Sequence, residues 1–333
     1  MTTRELREDA ELDVLTPEWW ALWRRLPQTT PFQSPAWLIP WWRSFRPGEL
    51  RTIAVEADGR LVGLAPLYLE SGPLGRRLLP LGVSLSDYLD LLLDPDHAEA
   101  AGAAIMAHLV EAEWDWDVLE LQELPPGAAA LSLVAPPGME ESAGEHSACP
   151  VLALPDRLES LREVIPTRQR RKLNLARNRA ARAGGVEIRE ADAATAREHL
   201  EALFAVHRAQ WQSRGTSGVL DGEAVQRFHR SAVGGLVETG LATLYLLELG
   251  GRSVGAFYGF RHNGRVLFYL TGFDPEYERI SPGTLLIAHA IEAALAQGAR
   301  EFHFLRGREP YKYRWGAEDC WNRRRLFRRR AAS

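Results

Sequence analysis

From Tyr269 to Ile287 the chain reads Tyr-Leu-Thr-Gly-Phe-Asp-Pro-Glu-Tyr-Glu-Arg-Ile-Ser-Pro-Gly-Thr-Leu-Leu-Ile. An apolar strand passes through a short acidic turn directly into the first residues of an apolar helix. The first N–H groups of a helix have no partner within it, and they point, with the positive end of the helix dipole, at whatever lies before it. Gly283 permits close backbone approach, Ser281 and Thr284 add hydroxyls, and Arg279 stands beside them, a set that suits a diphosphate. Ser followed by Pro at the first helical position is also an ordinary helix start. Spacing alone leaves both readings open.

Two other features carry chemistry. Of 40 basic residues only Lys172 and Lys312 are lysines, and a compact ammonium does what a planar guanidinium cannot. The segment Arg168, Arg170, Arg171, Lys172, Arg177, Arg179, Arg182 holds seven positive charges and no acid. It reads either as a solvated helix face, with Leu173, Leu175 and Ala176 packing its other side, or as a platform for an anion such as a sugar nucleotide, a glycan acid, a lipid phosphate or RNA. It lacks the interleaved aromatics that stack on bases, so specific nucleic-acid readout, DNA included, is not expected.

The elements that must position these groups follow from periodicity and punctuation. The first half predicts helices over 17–26 and 35–45, strands over Leu50–Ala57 and Arg60–Glu70 joined at Asp58-Gly59, a strand over Leu85–Asp94, a helix over Pro95–Glu111 and a strand over Asp117–Leu121. Residues 124–147 read as a Pro-, Ala- and acid-rich connector, which puts a boundary near 150. The second half predicts a capping box at Asp156 and Glu159, and a helix from Pro166-Thr167 to Gly184-Gly185. A short strand over Val186–Glu190 follows, then helices over 193–214 and 222–239. Three strands come next, Leu241–Leu249, Ser253–Arg261 and Val266–Phe273, then a helix over Pro282–Gln297, a strand over Glu301–Leu305, a loop over 306–317 and a last strand into Arg323–Arg330. This order implies an α/β fold with helices on both faces of a sheet, and the first half offers a shorter version of it.

At about 100 to 200 residues per domain, 333 residues predict two domains. Composition that is 46% hydrophobic and 25% charged excludes disordered and fibrous classes. No apolar run approaches the roughly 18 residues of a membrane span, and the Met1-Thr2-Thr3-Arg4-Glu5 start is too acidic for a secretory signal, so a cytoplasmic protein is expected. Cys149 and Cys320 form neither a disulfide framework nor a zinc spacing, His199 and His207 are too far apart for a metal pair on one turn, and no metal is expected. Dinucleotide, P-loop, zincin and α/β-hydrolase motifs are all missing.

The order of elements, with Arg279-Ile-Ser-Pro-Gly-Thr-Leu-Leu at the helix start, resembles the GNAT acyltransferases, whose coenzyme A loop reads Arg/Gln-x-x-Gly-x-Gly/Ala. Pro282 stands at the usual first glycine, and Gly283 is displaced by one. Three stretches together resemble the GNAT subfamily associated with cellulose and exopolysaccharide biosynthesis: Phe32-Gln-Ser-Pro-Ala-Trp37, Ser86-Asp-Tyr-Leu-Asp90, and Phe304-Leu-Arg-Gly-Arg-Glu-Pro-Tyr-Lys-Tyr-Arg-Trp-Gly316. The likeness spans nearly the whole chain and extends to the tandem-GNAT Fem-type peptidyltransferases. It implies tandem GNAT-like modules, each a mixed, mostly antiparallel sheet flanked by helices: a degenerate one over 1–150 and a catalytic one over 151–333.

What the resemblance implies chemically is transfer of an acyl group, acetyl above all, from coenzyme A to an amine, with an amino sugar or a polysaccharide or cell-envelope precursor as acceptor. Leu270 and Gly272 would hold the pantetheine arm, and Arg279, Ser281, Gly283 and Thr284 the diphosphate. Amide formation needs an uncharged amine near the carbonyl, a donor for the oxyanion and a proton acceptor. The loop 306–316 follows the last core strand, and it offers Glu309, Tyr311 and Lys312 for that work, with Arg306 as a substrate contact. Lys312 matches the lysine of the Fem-type Lys-x-x-aromatic-Gly motif, which helps hold anionic substrates and the transition state. Asp87 and Tyr88 are the expected substrate contacts of the first half.

Two other readings stay open: a Fem-like aminoacyl transferase fed by charged tRNA, and a non-catalytic scaffold of a polysaccharide-synthesis system. Charge bears on the choice. Residues 1–150 hold 24 acids against 10 arginines, and residues 151–333 hold 20 against 30 basic residues. The positive excess lies in the half with the proposed phosphate cradle. In the first half the corresponding junction carries Asp94, Asp96 and Glu99, so only the second half should hold the cofactor.

Overall fold

The computed structural model of the protein describes residues 1–111 and 115–329. They form two compact units, Met1–Ala148 together with the stretch from Trp321, and Cys149–Cys320. The last strand was expected with the second half, and most of it belongs to the first unit instead. Arg330, expected at its end, lies outside the described residues.

The first unit contains β1 (Thr2–Leu6), α1 (Asp9–Arg25), α2 (Pro35–Phe45), β2 (Glu49–Leu50), β3 (Thr52–Ala57), β4 (Arg60–Ala65), β5 (Leu67–Gly72), β6 (Gly75–Pro80), β7 (Leu92–Leu93), α3 (Ala98–Glu111) and β8 (Val118–Leu124). The division between units falls inside β9 (Met139–Ala153). β3 lies between β1 and β4, all antiparallel, and β7 adds to β4. Asp58 and Gly59, both left-handed at φ 50° and 72°, make the tight turn that the Asp-Gly pair requires. A second sheet joins β2, β5 and β6, with β8 parallel to β6. Ile53, Val55, Leu78, Ile105, Leu119 and Phe327 lie in one buried cluster.

Two expectations in this unit fail for physical reasons. The alternating segment Leu85–Asp94 is not a strand beyond Leu92–Leu93. Its apolar side chains from Tyr88 to Leu93 are buried from an irregular path that begins with left-handed Gly82 and Ser84, and its backbone makes contacts such as Leu89 N–H donating to Glu123 O at 2.9 Å. The connector expected over 124–147 ends in the 15-residue strand β9, whose Glu140–Glu145 stretch is exposed and so lacks the apolar alternation that marks strands. Strands β1 and β6 have no counterpart in the sequence reading.

The second unit continues with α4 (Leu161–Val164), α5 (Thr167–Arg182), β10 (Glu187–Glu190), α6 (Ala196–Gln212), α7 (Glu223–Glu238), β11 (Ala242–Leu249), β12 (Arg252–His262), β13 (Arg265–Phe273), α8 (Pro282–Ala296), β14 (Glu301–His303), α9 (Pro310–Tyr313) and the first residues of β15 (Glu318–Arg329), the rest of which belongs to the first unit. The capping box expected at Asp156 does not form: the turn there is capped by Arg157 without a side-chain bond, and Asp156 pairs with Arg300. The sheet runs β10-β11-β12-β13-β14-β9. All neighbours are antiparallel except β13 and β14.

Helices cover both faces of this sheet, and two glycines mark the closest approaches. A Cβ on Gly255 would meet Pro282 and Leu286 of α8 at 3.2 and 3.1 Å, and one on Gly272 would meet the backbone of His207 in α6 at 2.7 Å. Gly255 opposes Phe273 and Ala256 opposes Gly272. Successive strand positions face opposite sides, so α8 lies on one face and α6 on the other. On the α8 side Phe257, Phe268, Leu286, Ile291, Phe302, Phe304 and Trp315 form the core. Together the units make a mixed α/β fold whose sheets are dominated by antiparallel pairs.

Candidate functional site

The second unit's chemistry-bearing residues gather where two strands part. β13 runs parallel to β14 only through Arg265–Leu267 against Glu301–His303, and β13 then continues alone on that side to Phe273. On its other side a register shift sets Tyr258 opposite Leu270 and Gly259 opposite Phe268. Tyr269 is therefore the extra residue of a bulge, and a bulge bends its strand and re-aims its side chains. Among the described residues no strand pairs with β13 on this side past Leu267, Phe273 N–H donates to Gln210 Oε1 at 3.3 Å, and Leu270 and Gly272 both lie on this stretch.

Beyond Phe273 the chain makes a tight turn over Pro275–Ile280, capped by the Asp274 carboxylate, which accepts from Glu276 N–H at 3.0 Å. Arg252 pairs with Asp274 at 2.8 Å and Glu276 at 3.5 Å, offsetting acids that would repel a phosphate. Ser281 is left-handed at φ 57°, and its carbonyl accepts from Thr284 and Leu285. Its side chain makes no capping bond, so the hydroxyls of Ser281 and Thr284 and the N–H of Gly283 remain at the helix start. Pro282 supplies no donor. A Cβ built on Gly283 meets nothing nearer than the Phe273 ring at 3.9 Å. Protein packing therefore does not demand glycine here, and the open side leaves room for a ligand to reach the backbone. Arg279 is exposed, and its carbonyl accepts from Arg179 of α5 at 3.2 Å.

The loop after β14 is organised around Lys312. Its ammonium is almost fully buried and donates to the carbonyls of Leu305, Arg306 and Gly307 at 3.0, 2.5 and 3.0 Å. The Glu309 carboxylate lies 2.9 Å from the same nitrogen, with its own side chain half exposed. Leu305 and Gly307 adopt φ 57° and 104°, and this is what turns three successive carbonyls toward one point. A tetrahedral ammonium fits such a nest, whereas a guanidinium fork does not. Tyr311 is wedged against Phe268 and Phe304, with ring centroids at 6.2 and 6.4 Å, and burial pushes its hydroxyl well above the ordinary tyrosine range. It stays protonated at neutral pH, so it can donate a hydrogen bond but cannot serve as a base. Arg306 is half-buried in the same loop.

Asp87 and Tyr88 belong to the first unit, and there both are buried. The Tyr88 carbonyl accepts from Gln33 Nε2 at 2.7 Å, the Asp87 carbonyl accepts from Asn322 at 2.8 Å, and Ser86 Oγ accepts from the Trp37 indole at 2.9 Å. The Phe32–Trp37 and Ser86–Asp90 stretches thus meet in space. In the same unit the start of α3 carries Asp94 paired with Arg25 at 3.1 Å and accepting from Asp96 N–H, so its donors face a carboxylate rather than an open cradle.

Three groups carry more than the sequence reading assigned. Asp90 accepts from the N–H groups of Leu91, Ala129 and Ala130 at 2.7 to 2.9 Å, yet burial outweighs these bonds and pushes its carboxyl up to about 7. His207 is buried beneath Gly218, accepts from the Trp211 indole at 2.9 Å, and is pushed down to about 4 by burial. His229 packs against Tyr258 and Tyr269 beside the bulge, and burial holds it near 3. For the two histidines the one sequence signal is a polar residue on the apolar stripe of a helix, whereas Asp90 lies on an irregular segment that carries no such signal. Among the described residues no group of His, Cys, Asp and Glu is arranged to hold a metal ion, and no helix is long and apolar enough to cross a membrane.

Residues 167–313 match the sequence profile described as an acetyltransferase (GNAT) domain. No curated protein sequence matches the chain. Among solved structures the fold is similar to FemX, with a TM-score of 0.66 at 13% identity over 98% of this chain and 97% of that one. It is also similar to L-PGS from Bacillus licheniformis, with a TM-score of 0.58 at 14% identity over 99% and 94%. A tandem GNAT protein from the clavulanic acid biosynthesis pathway superposes with a TM-score of 0.51 at 17% identity over the whole of both chains. The fork between β13 and β14, the helix start at Ser281 and the Lys312 loop as far as Tyr313 thus lie within the stretch that matches an acetyltransferase (GNAT) domain, in a chain whose fold is similar to those of FemX and a tandem GNAT protein.

Proposed function

We propose that the chain is an N-acyltransferase that moves an acyl group, acetyl in the simplest case, from coenzyme A to an amine acceptor such as an amino sugar of a polysaccharide or cell-envelope precursor. The observation that supports this reading best is the continuity of fork and helix start: a strand freed of its partner past Leu267 leads within one turn to an open Gly283. Leu270 and Gly272 line the pantetheine path, and Gly283 N–H, the Ser281 and Thr284 hydroxyls and Arg279 receive the diphosphate. Coenzyme A supplies the acyl group as an activated thioester. Glu309, which faces water, takes the proton of the attacking amine, and Tyr311 serves as donor. Lys312 acts through the backbone it gathers. Arg306 is the proposed acceptor contact of the second unit, Asp87 and Tyr88 are substrate contacts proposed for the first unit by itself, and the first unit is a GNAT-like module without a cofactor site.

Calorimetric titration with acetyl-coenzyme A tests the proposal. Saturable binding lost in Gly283→Glu is expected, and no binding at millimolar ligand would overturn it. Pro282 favours a second reading, because it removes a donor that coenzyme A loops ordinarily supply: a Fem-like transfer from charged tRNA. Salt-sensitive tRNA binding with none to coenzyme A would establish that reading instead.

A further inference from the structure

One flank of α5 meets the helix start only through Arg179, which donates to the Arg279 carbonyl, and is otherwise unused by the fork and the helix start. Gln169, Leu173, Ala176 and Ala180, three or four apart, are its buried residues. Arg168, Arg171, Lys172, Leu175, Arg179 and Arg182 recur at the same helical spacing, form a second stripe beside the buried one, and are all exposed. Of the seven charges on the helix, three are engaged within the protein: Arg170 with Ile165 O and Thr167 Oγ1, Arg177 with Glu292, and Arg179 with the Arg279 carbonyl. Among the described residues Arg168, Arg171, Lys172 and Arg182 make no hydrogen bond or ion pair. No acid occurs on the helix to balance them. The stripe is about 21 Å long at 1.5 Å rise per residue. Leu175 sits at its middle with 49% of its surface exposed.

Like charges concentrated on one helix flank repel each other and weaken the helix, so the arrangement is favourable only against an anionic surface. We propose that this stripe docks the protein onto an anionic lipid bilayer, with α5 lying in the plane of the headgroups and Leu175 inserted between them. A straight row of cations with an apolar side chain at its centre fits a flat, charged surface with an apolar layer just beneath. Nucleic acid would meet the same charges but would leave Leu175 in water and find no aromatic on the helix to stack against. The inference is independent of the acyl donor.

Co-sedimentation of the full chain with vesicles of equal parts phosphatidylcholine and phosphatidylserine, against vesicles of phosphatidylcholine alone, tests it. Binding to the anionic vesicles only, reversed by salt, is expected. Joint substitution of Arg168, Arg171, Lys172 and Arg182 by Gln should weaken it at least about a hundredfold, since each juxtamembrane charge contributes roughly fivefold. Leu175→Ser should weaken it several-fold with the charges intact, which keeps the idea testable if the fourfold variant folds poorly. Gln at Arg24, Arg60, Arg208 and Arg214, exposed cations elsewhere, should have little effect. Absence of binding at low salt, or equal losses from the two fourfold variants, overturns the proposal. So does tighter binding to an RNA duplex than to vesicles, with no effect of Leu175→Ser.

Discussion

The ammonium of Lys312 lies 3.0 Å from the carbonyl oxygen of Leu305, a residue whose own backbone is left-handed at φ 57°. A branched or γ-branched residue rarely adopts that conformation unless its surroundings impose it. The bond to Lys312, repeated at Arg306 and Gly307, is what imposes it here, and the shape of the whole loop after β14 depends on one buried cation.

Lys312→Met should therefore leave three carbonyls and the Glu309 carboxylate without their common partner. A loss of about 3 kcal/mol is expected, the scale for removing one side of a buried charge pair. Lys312→Arg should not restore the loop, because a planar fork cannot receive four acceptors around one atom. Hydrogen exchange across 304–316 is the direct measurement. Protection retained in Lys312→Met would mean that the loop holds its shape without the cation.

Gly272 and Gly283 are both in the proposed cofactor path, and the structure separates their roles. Gly272→Ala drives a Cβ to 2.7 Å from the backbone nitrogen of His207, where α6 cannot give way, so a loss of about 1–3 kcal/mol is expected. Gly283→Ala meets only the Phe273 ring at 3.9 Å and should melt like the parent protein. Thermal melting with and without acetyl-coenzyme A checks both: the Gly283 variants should lose the ligand-induced rise in Tm while keeping the unliganded one.

Much of the second unit was legible because its signals are local. Gly250-Gly251 and Asn263-Gly264, all left-handed, punctuate three apolar strands, and the Ser-Pro-Gly-Thr helix start sits within one residue of its expected place. The first unit hid more. β9 carries Glu140, Glu141 and Glu145 on an exposed stretch, and its pairing is set by distant residues such as Arg325, which donates to Glu141 at 2.9 Å. At the proposed site, the loop's residue types and the family resemblance singled out Lys312 and Glu309 as candidates but not their relation. That Lys312 faces three carbonyls depends on the backbone angles of Leu305 and Gly307, which no periodicity reports.

The second unit should lose stability in acid. His229 is entirely buried with its pKa near 3, and His207 is held near 4, against about 6.5 in an unfolded chain. A lowered histidine stabilises the fold fully above the unfolded value, and that contribution disappears as pH falls through the folded one. Between pH 6.5 and 3, His229 alone should cost up to about 4 kcal/mol, at 1.36 kcal/mol per unit. His229→Phe, which keeps a ring against Tyr258 and Tyr269, should flatten the acid limb of a pH–Tm curve. An unchanged limb would assign the acid sensitivity to other groups.

Asp90 should act in the opposite direction in the first unit. Its carboxyl titrates at about 7 in the fold against about 3.9 in an unfolded chain, so the protonated form is the one the fold prefers. That preference is fully present below the unfolded value and is lost as pH rises through 7. The cost of an ionised Asp90 at pH 8 is up to about 4 kcal/mol by the same conversion, reduced to the extent that the N–H groups of Leu91, Ala129 and Ala130 solvate the anion. Asp90→Asn retains an acceptor for those N–H groups without a titrating proton, so it should remove the slope between pH 4 and 7 while leaving low-pH stability nearly unchanged. Fluorescence of the tryptophans packed in this unit, Trp19, Trp23 and Trp37 among them, followed in denaturant at several pH values, gives the slope. A slope that survives Asp90→Asn would show that the three backbone bonds hold Asp90 ionised across the whole range.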